Sequence, residues 1–81
     1  MNDYDQRFIE AFDAVAERDG VSMGRLCDSI GILRPNLAHL RHGRGRHVQV
    51  EWMDALCRLG VSADWLLTGA GEMFNNKNTK S

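Results

Sequence analysis

Acidic side chains are missing from the middle of this chain. None occurs between Asp28 and Glu51, a span of 22 residues that holds four of the eight arginines and all three histidines. Cysteine is scarce too: Cys27 and Cys57 stand thirty apart with no CxxC pair, which excludes a disulfide framework or a paired-cysteine zinc site and reads as two reduced core thiols. No apolar run approaches the ~20 residues that span a bilayer, and the acidic N-terminus has neither the basic head nor the apolar stretch of a signal peptide, so a cytoplasmic protein is expected. There is no GxxxxGK phosphate cradle, no HExxH and no nucleophile motif, so no catalysis, cofactor or small-molecule substrate is expected. His39, His42 and His47 lack partner cysteines or carboxylates at ligand spacing, so no metal is expected either. A length of 81 residues leaves room for one small domain and a modest core, not for a large enzyme pocket.

What is present is polarised. Residues 1–28 hold seven carboxylates against three arginines, residues 29–50 hold four arginines and no carboxylate, and residues 51–81 hold four carboxylates against three basic side chains. A formal net charge of -1 therefore hides a basic stripe in an acidic frame. Such a stripe suits a local polyanion contact, most simply nucleic acid, while the acidic remainder limits indiscriminate sticking. A solvated helix face is the plainer explanation, and charge alone does not separate the two.

Punctuation divides the chain into short helices. Phe8, Phe12 and Val15 at i, i+4, i+7 predict a first helix over Tyr4 to Arg18, with Asn2 or Asp3 as cap and Gly20 as stop. Ser22 caps a second helix with Leu26, Cys27 and Ile30 inward, ended by Gly31. Pro35 suits the start of a third, Pro35 to His42, broken by Gly43 and Gly45. Trp52, Met53, Leu56 and Leu59 mark a fourth, ended by Gly60, and Ser62 caps a fifth that runs to Gly69. Nothing reads as a strand. Residues 1–74 are expected to form one all-α, five-helix domain, and residues 75–81, polar and without apolar side chains, a disordered tail or the start of a linker. Trp52 and Trp65 are expected in the core, with a dimer surface as the alternative for the large ring near the C-terminus.

The pattern around Gly31 is the most informative. Two helices meeting steeply over a short turn need a small side chain on the first helix, freedom of φ at the turn, and apolar residues on the second facing back. Cys27, Gly31, Leu37 and Leu40 supply these, with Leu26, Ile30 and Ile32 filling inward positions, so the second and third helices read as a helix-turn-helix. On these residues, on Leu37-Ala38-x-Leu40-x2-Gly43 and on the run Leu59 to Gly69 continued by Gly71-Glu72-Met73, the chain resembles the lambda-repressor-like (XRE-type) helix-turn-helix family. The resemblance covers about residues 5–74 and points toward the DNA-binding domain of phage CI-type repressors. Two departures stand out. Met23 occupies a position where many members carry a polar residue that contacts phosphate, and Arg41 with His42 replaces a frequent acidic pair-former, which makes this surface more basic than usual.

The resemblance implies a compact lambda-repressor-like fold and base reading by the positions matching 34, 35, 38 and 39. Helix geometry agrees: with Leu37 and Leu40 inward, Arg34, Pro35, Ala38 and His39 share the outer face, with Asn36 at its edge and His42 one turn on. Arg34 is the first choice for guanine, through two hydrogen bonds to O6 and N7, while Pro35 and Ala38 suit a thymine methyl or a close approach. His39 fits a guanine, a phosphate or an idle surface position. Arg44, Arg46 and His47 between the loop glycines, together with His42, suit phosphate contacts, and so do Ser22 and Arg25 at the start of the second helix. Arg25 pairing with Asp28 is the competing assignment, and the Arg44-Gly45-Arg46 core is also open to insertion in a minor groove. Ala70-Gly71 matches the dipeptide cut in self-cleaving repressors, but turn chemistry explains it without the missing peptidase.

The expected function is a sequence-specific double-stranded DNA-binding transcription regulator, a repressor of phage or prophage type. A recognition helix of eight residues reads few base pairs, so a homodimer on a two-fold operator is expected, with Leu66, Met73 and Phe74 as its contact. An antitoxin that binds both operator and toxin, or a protein-interaction module without DNA binding, are the alternatives.

Overall fold

The computed structural model describes residues 3–43 and 48–75, and five helices follow one another in it. Helix α1 (Asp3–Asp19) supplies the floor of the core: Phe8, Ala11, Phe12 and Val15 are fully buried along one stripe. Each helix end is then set by a local device. Gly20 leaves α1 with φ 69° and lets Val21 N–H reach back to Ala16 C=O at 3.0 Å. Ser22 Oγ accepts from the Arg25 N–H at 3.1 Å and starts α2 (Met23–Ile30). Gly31, at φ 94°, ends it with Gly31 N–H and Ile32 N–H both donating to Cys27 C=O.

Helix α3 (Arg34–Arg41) begins after only three residues, Gly31 to Leu33, and starts one residue earlier than its proline suggests, because Leu33 takes the extended cap conformation. Helix α4 (Val50–Arg58) and α5 (Ala63–Thr68) follow, the latter capped by Ser62 Oγ accepting from Trp65 N–H at 3.3 Å and closed by Gly69. After α5 the chain returns antiparallel to the α4–α5 turn, with Ser62 N–H donating to Met73 C=O at 2.7 Å and Asn75 N–H to Gly60 C=O at 2.9 Å. That single bridge is the only sheet-like pairing among the described residues. The tail beyond Asn75 lies outside them.

The core is one cluster to which all five helices contribute: Phe8 and Phe12 from α1, Leu26 from α2, Leu37 and Leu40 from α3, Trp52 and Leu56 from α4, Leu66 from α5. The Phe8 ring sits 6.1 Å from Phe12 and 6.3 Å from Trp52, tilted as aromatic neighbours prefer. Cys27 is buried here and Cys57 half-buried, both as free thiols, and burial pushes each thiol up from its ordinary pKa. Trp65, expected inside, is half-buried against the cluster because α5 is only six residues long and turns Leu66 inward instead.

Two polar contacts that periodicity does not reveal hold the ends together. Asp5, 2% exposed, accepts from the Val48 N–H at 3.1 Å and so ties the segment before α4 to α1. Arg7 donates to Leu66 C=O at 2.9 Å and Leu67 C=O at 3.0 Å, placing a cation over the carbonyl end of α5. No helix among the described residues is long and apolar enough to cross a membrane.

Candidate nucleic-acid interface

Leu37 and Leu40, 6% and 1% exposed, pin α3 to the core, and Ile32 in the turn before it is buried as well. The two leucines stand three positions apart, so Ala38 and His39 between them and Arg34 and Pro35 before them point outward. Arg34, Pro35 and Ala38 are exposed and His39 is half-buried on the side away from the leucines, with Asn36, also half-buried, at its edge; His42 follows, exposed, at the helix end. Ser22 and Arg25 are exposed at the start of α2, and no ion pair involves Arg25 among the described residues. The Ser22 oxygen is already engaged as cap, which leaves its hydroxyl proton free to donate. Arg44, Arg46 and His47 lie outside the described residues.

The charge of this face departs from the linear pattern. Asp28 pairs with Arg34, at 3.1 Å between Oδ2 and Nη2, and not with Arg25. Arg41, expected to make the surface more basic, is bound two-pronged by Asp13 of α1, with Nη1 to Oδ2 at 3.2 Å and Nη2 to Oδ1. These hydrogen bonds are the main reason the Arg41 guanidinium holds its proton more firmly than a free arginine. Met23 closes the same corner, its sulfur 3.8 Å from Arg41 Nη2, so the apolar residue at this position braces an arginine instead of meeting phosphate. The acid-free stretch of sequence is thus not acid-free in space: two aspartates from α1 and α2 fold onto it.

Leu33, 70% exposed beside Arg34, adds an apolar side chain to the outer face. No hydropathy pattern marks it, because a single exposed leucine in a three-residue turn looks the same as a buried one.

Within the expected dimer contact, Leu66 needs correction. Leu66 is 1% exposed and belongs to the core, because the short α5 must turn one side chain inward to dock on α1. Met73 and Phe74 are half-buried: the strand-like return pins them against the α4–α5 turn, with the Arg18 guanidinium 5.1 Å above the Phe74 ring. Exposed apolar surface lies elsewhere, at Val50 and Leu67, which flank a groove of about 300 Å³ between α4 and α5 floored by Met53 and Cys57.

No family model, curated protein or solved structure matches this chain. Among the described residues no three His, Cys, Asp or Glu side chains converge as a metal site would require. Any reading of function therefore rests on the outer face of α3 and its surroundings.

Proposed function

We propose that this domain is a sequence-specific double-stranded DNA-binding transcription regulator, a repressor of phage or prophage type, that enters the major groove with α3. The observation that supports this reading best is the division of α3 into a leucine-anchored inner face and an outer face of Arg34, Pro35, Ala38 and His39, following α2 after a three-residue turn. In this reading Arg34 reads guanine, Pro35, Ala38 and Leu33 lie against thymine methyls, and Ser22, Arg25, His42, Arg44, Arg46 and His47 hold the backbone. Five helices with a three-residue α2–α3 turn support the lambda-repressor-like fold that the sequence resemblance implies.

The direct test is selection of binding sites from random duplexes followed by titration at two salt concentrations. Replacing Arg44 and Arg46 together by alanine is expected to weaken all duplexes alike and to reduce the logarithmic salt slope by about 1.8, at about 0.9 per phosphate contact. A slope that stays unchanged would remove both arginines from the backbone contacts. Failure of the unaltered chain to bind any duplex in a salt-sensitive manner would overturn the reading itself.

An eight-residue helix covers too few base pairs for useful specificity, so a second copy is part of the proposal, with half-sites ~34 Å apart. We place its contact at the groove flanked by Val50 and Leu67, which Leu66 also lines, and not at Met73 and Phe74. Leu67, 56% exposed, can be changed without opening the core. Leu67→Glu is expected to leave the melting temperature of the monomer nearly unchanged while abolishing the dimer in sedimentation and lowering affinity for a two-half-site duplex to that for one half-site. Dimerisation that survives this substitution would place the contact elsewhere.

A further inference from the structure

Gly24 stands in the first turn of α2, where alanine would give a more stable helix, and its φ lies in the ordinary range, so the backbone does not ask for glycine. The reason on view is space. A Cβ built on Gly24 would meet the Arg34 guanidinium, with Cζ at 2.7 Å and Nε and Nη2 each at 3.0 Å. Because the central carbon is the nearest atom, the guanidinium plane lies flat over the glycine. Asp28, one turn further along α2, then takes one N–H of Nη2. A guanidinium has five N–H donors, and apart from the one Nη2 proton that Asp28 takes, none has a partner among the described residues. The remaining donors are enough for a two-bond contact to guanine.

We propose that Gly24 and Asp28 form a seat on α2 that orients Arg34 for guanine, which makes them specificity-determining positioning residues of the interface. The inference rests on the DNA-reading proposal above for its purpose, but the seat itself is a property of the free protein. Arginine loses much rotamer freedom when it binds, and a side chain already laid flat and pinned at one nitrogen loses less. The pin is solvent-exposed, with side-chain exposures of 65% and 66%, so its effect is modest: a pair of this kind shifts an equilibrium by up to about fivefold.

Two substitutions test the seat from opposite sides. Gly24→Ala fills it, and because the atoms it displaces are the far end of a flexible side chain, the fold is retained and α2 gains helix propensity. Asp28→Asn removes the pin. In nitrogen-15 relaxation of the free protein, the Arg34 Nε–H is expected to be more ordered than that of the exposed Arg25 and to become as mobile as Arg25 in both variants. On DNA, both are expected to reduce preference for the selected guanine over its replacement by about two- to fivefold. Gly24→Ala should do so with a melting temperature equal to or above that of the unaltered chain. Asp28→Asn also removes a negative charge near phosphate and strengthens every duplex, so the ratio between duplexes is the quantity to read.

An Arg34 as mobile as Arg25 in the unaltered chain would overturn the seat whether or not DNA binds. Unchanged base preference in both variants would overturn its role in specificity while leaving the DNA reading intact, and tighter binding with sharper preference in Asp28→Asn would show that Asp28 restrains Arg34 instead of aiming it. Absence of any duplex binding by the unaltered chain would remove both proposals.

Discussion

Leu40→Ala is expected to lower the free energy of unfolding by about 2–5 kcal/mol, read from urea denaturation. The side chain is 1% exposed and lies in the last full turn of α3, where it meets the cluster around Phe8, Phe12 and Leu56. Its removal loses the transfer energy of the deleted atoms and leaves a cavity that interlocked helices cannot fully close. A domain of this length has only about 4–12 kcal/mol in total, so the variant is expected to melt ~10–30 °C lower and, near 37 °C, to be largely unfolded. Leu37, at 6% exposure, is the only other buried side chain that α3 contributes, so nothing compensates. Binding to all duplexes should fall together with the folded fraction and return on cooling. A loss below ~1 kcal/mol would mean that α3 is not held to the core by Leu40.

Arg34→Ala is expected to act in the opposite way, on recognition and hardly on stability. Its partner is exposed and the pair contributes at most about 1 kcal/mol to folding. On the proposed DNA reading, losing the two-bond contact to guanine costs about 1–3 kcal/mol of discrimination, a fall of roughly 5- to 150-fold in preference at one base pair of each half-site. The measurement is repeated site selection together with titration of duplexes altered at that base pair. Asp28 is left without its partner beside the phosphates, so a smaller uniform weakening accompanies the change, and adding Asp28→Asn to Arg34→Ala should cancel that part alone. Uniform weakening with base preference intact would take Arg34 out of the base-reading set.

The helix ends were legible because the signals that set them are local. Ser22 and Ser62 cap helices three residues from the amides they accept from, and Gly31 and Gly69 end them where a left-handed residue is required, all within one turn of chain. The inward and outward sides of α3 were legible for the same reason, since the spacing of Leu37 and Leu40 fixes the rotation of eight residues around one axis. Charge was legible only as a list along the chain. Which aspartate meets which arginine depends on how α1 and α2 lie against α3, and neither Arg41 with Asp13 nor Asp5 with Val48 N–H leaves a periodic trace across 28 and 43 residues. Leu66 shows the same limit in the core. Leu66 and Leu67 are adjacent leucines on a six-residue helix, too short for periodicity to say which one faces in.

By itself, then, the amino-acid order determined five helices, their ends and the two sides of α3, because hydrogen-bond caps, glycine dihedrals and a 3.6-residue repeat act over a few residues. Tertiary structure decided the electrostatics and the free surface. It brought Asp13 and Asp28 onto a stretch that has no carboxylates of its own, laid Arg34 over Gly24, and left Leu67 instead of Leu66 facing solvent. Coulomb attraction and exclusion from water act through space, and the neighbours they act on exist only once the helices have packed.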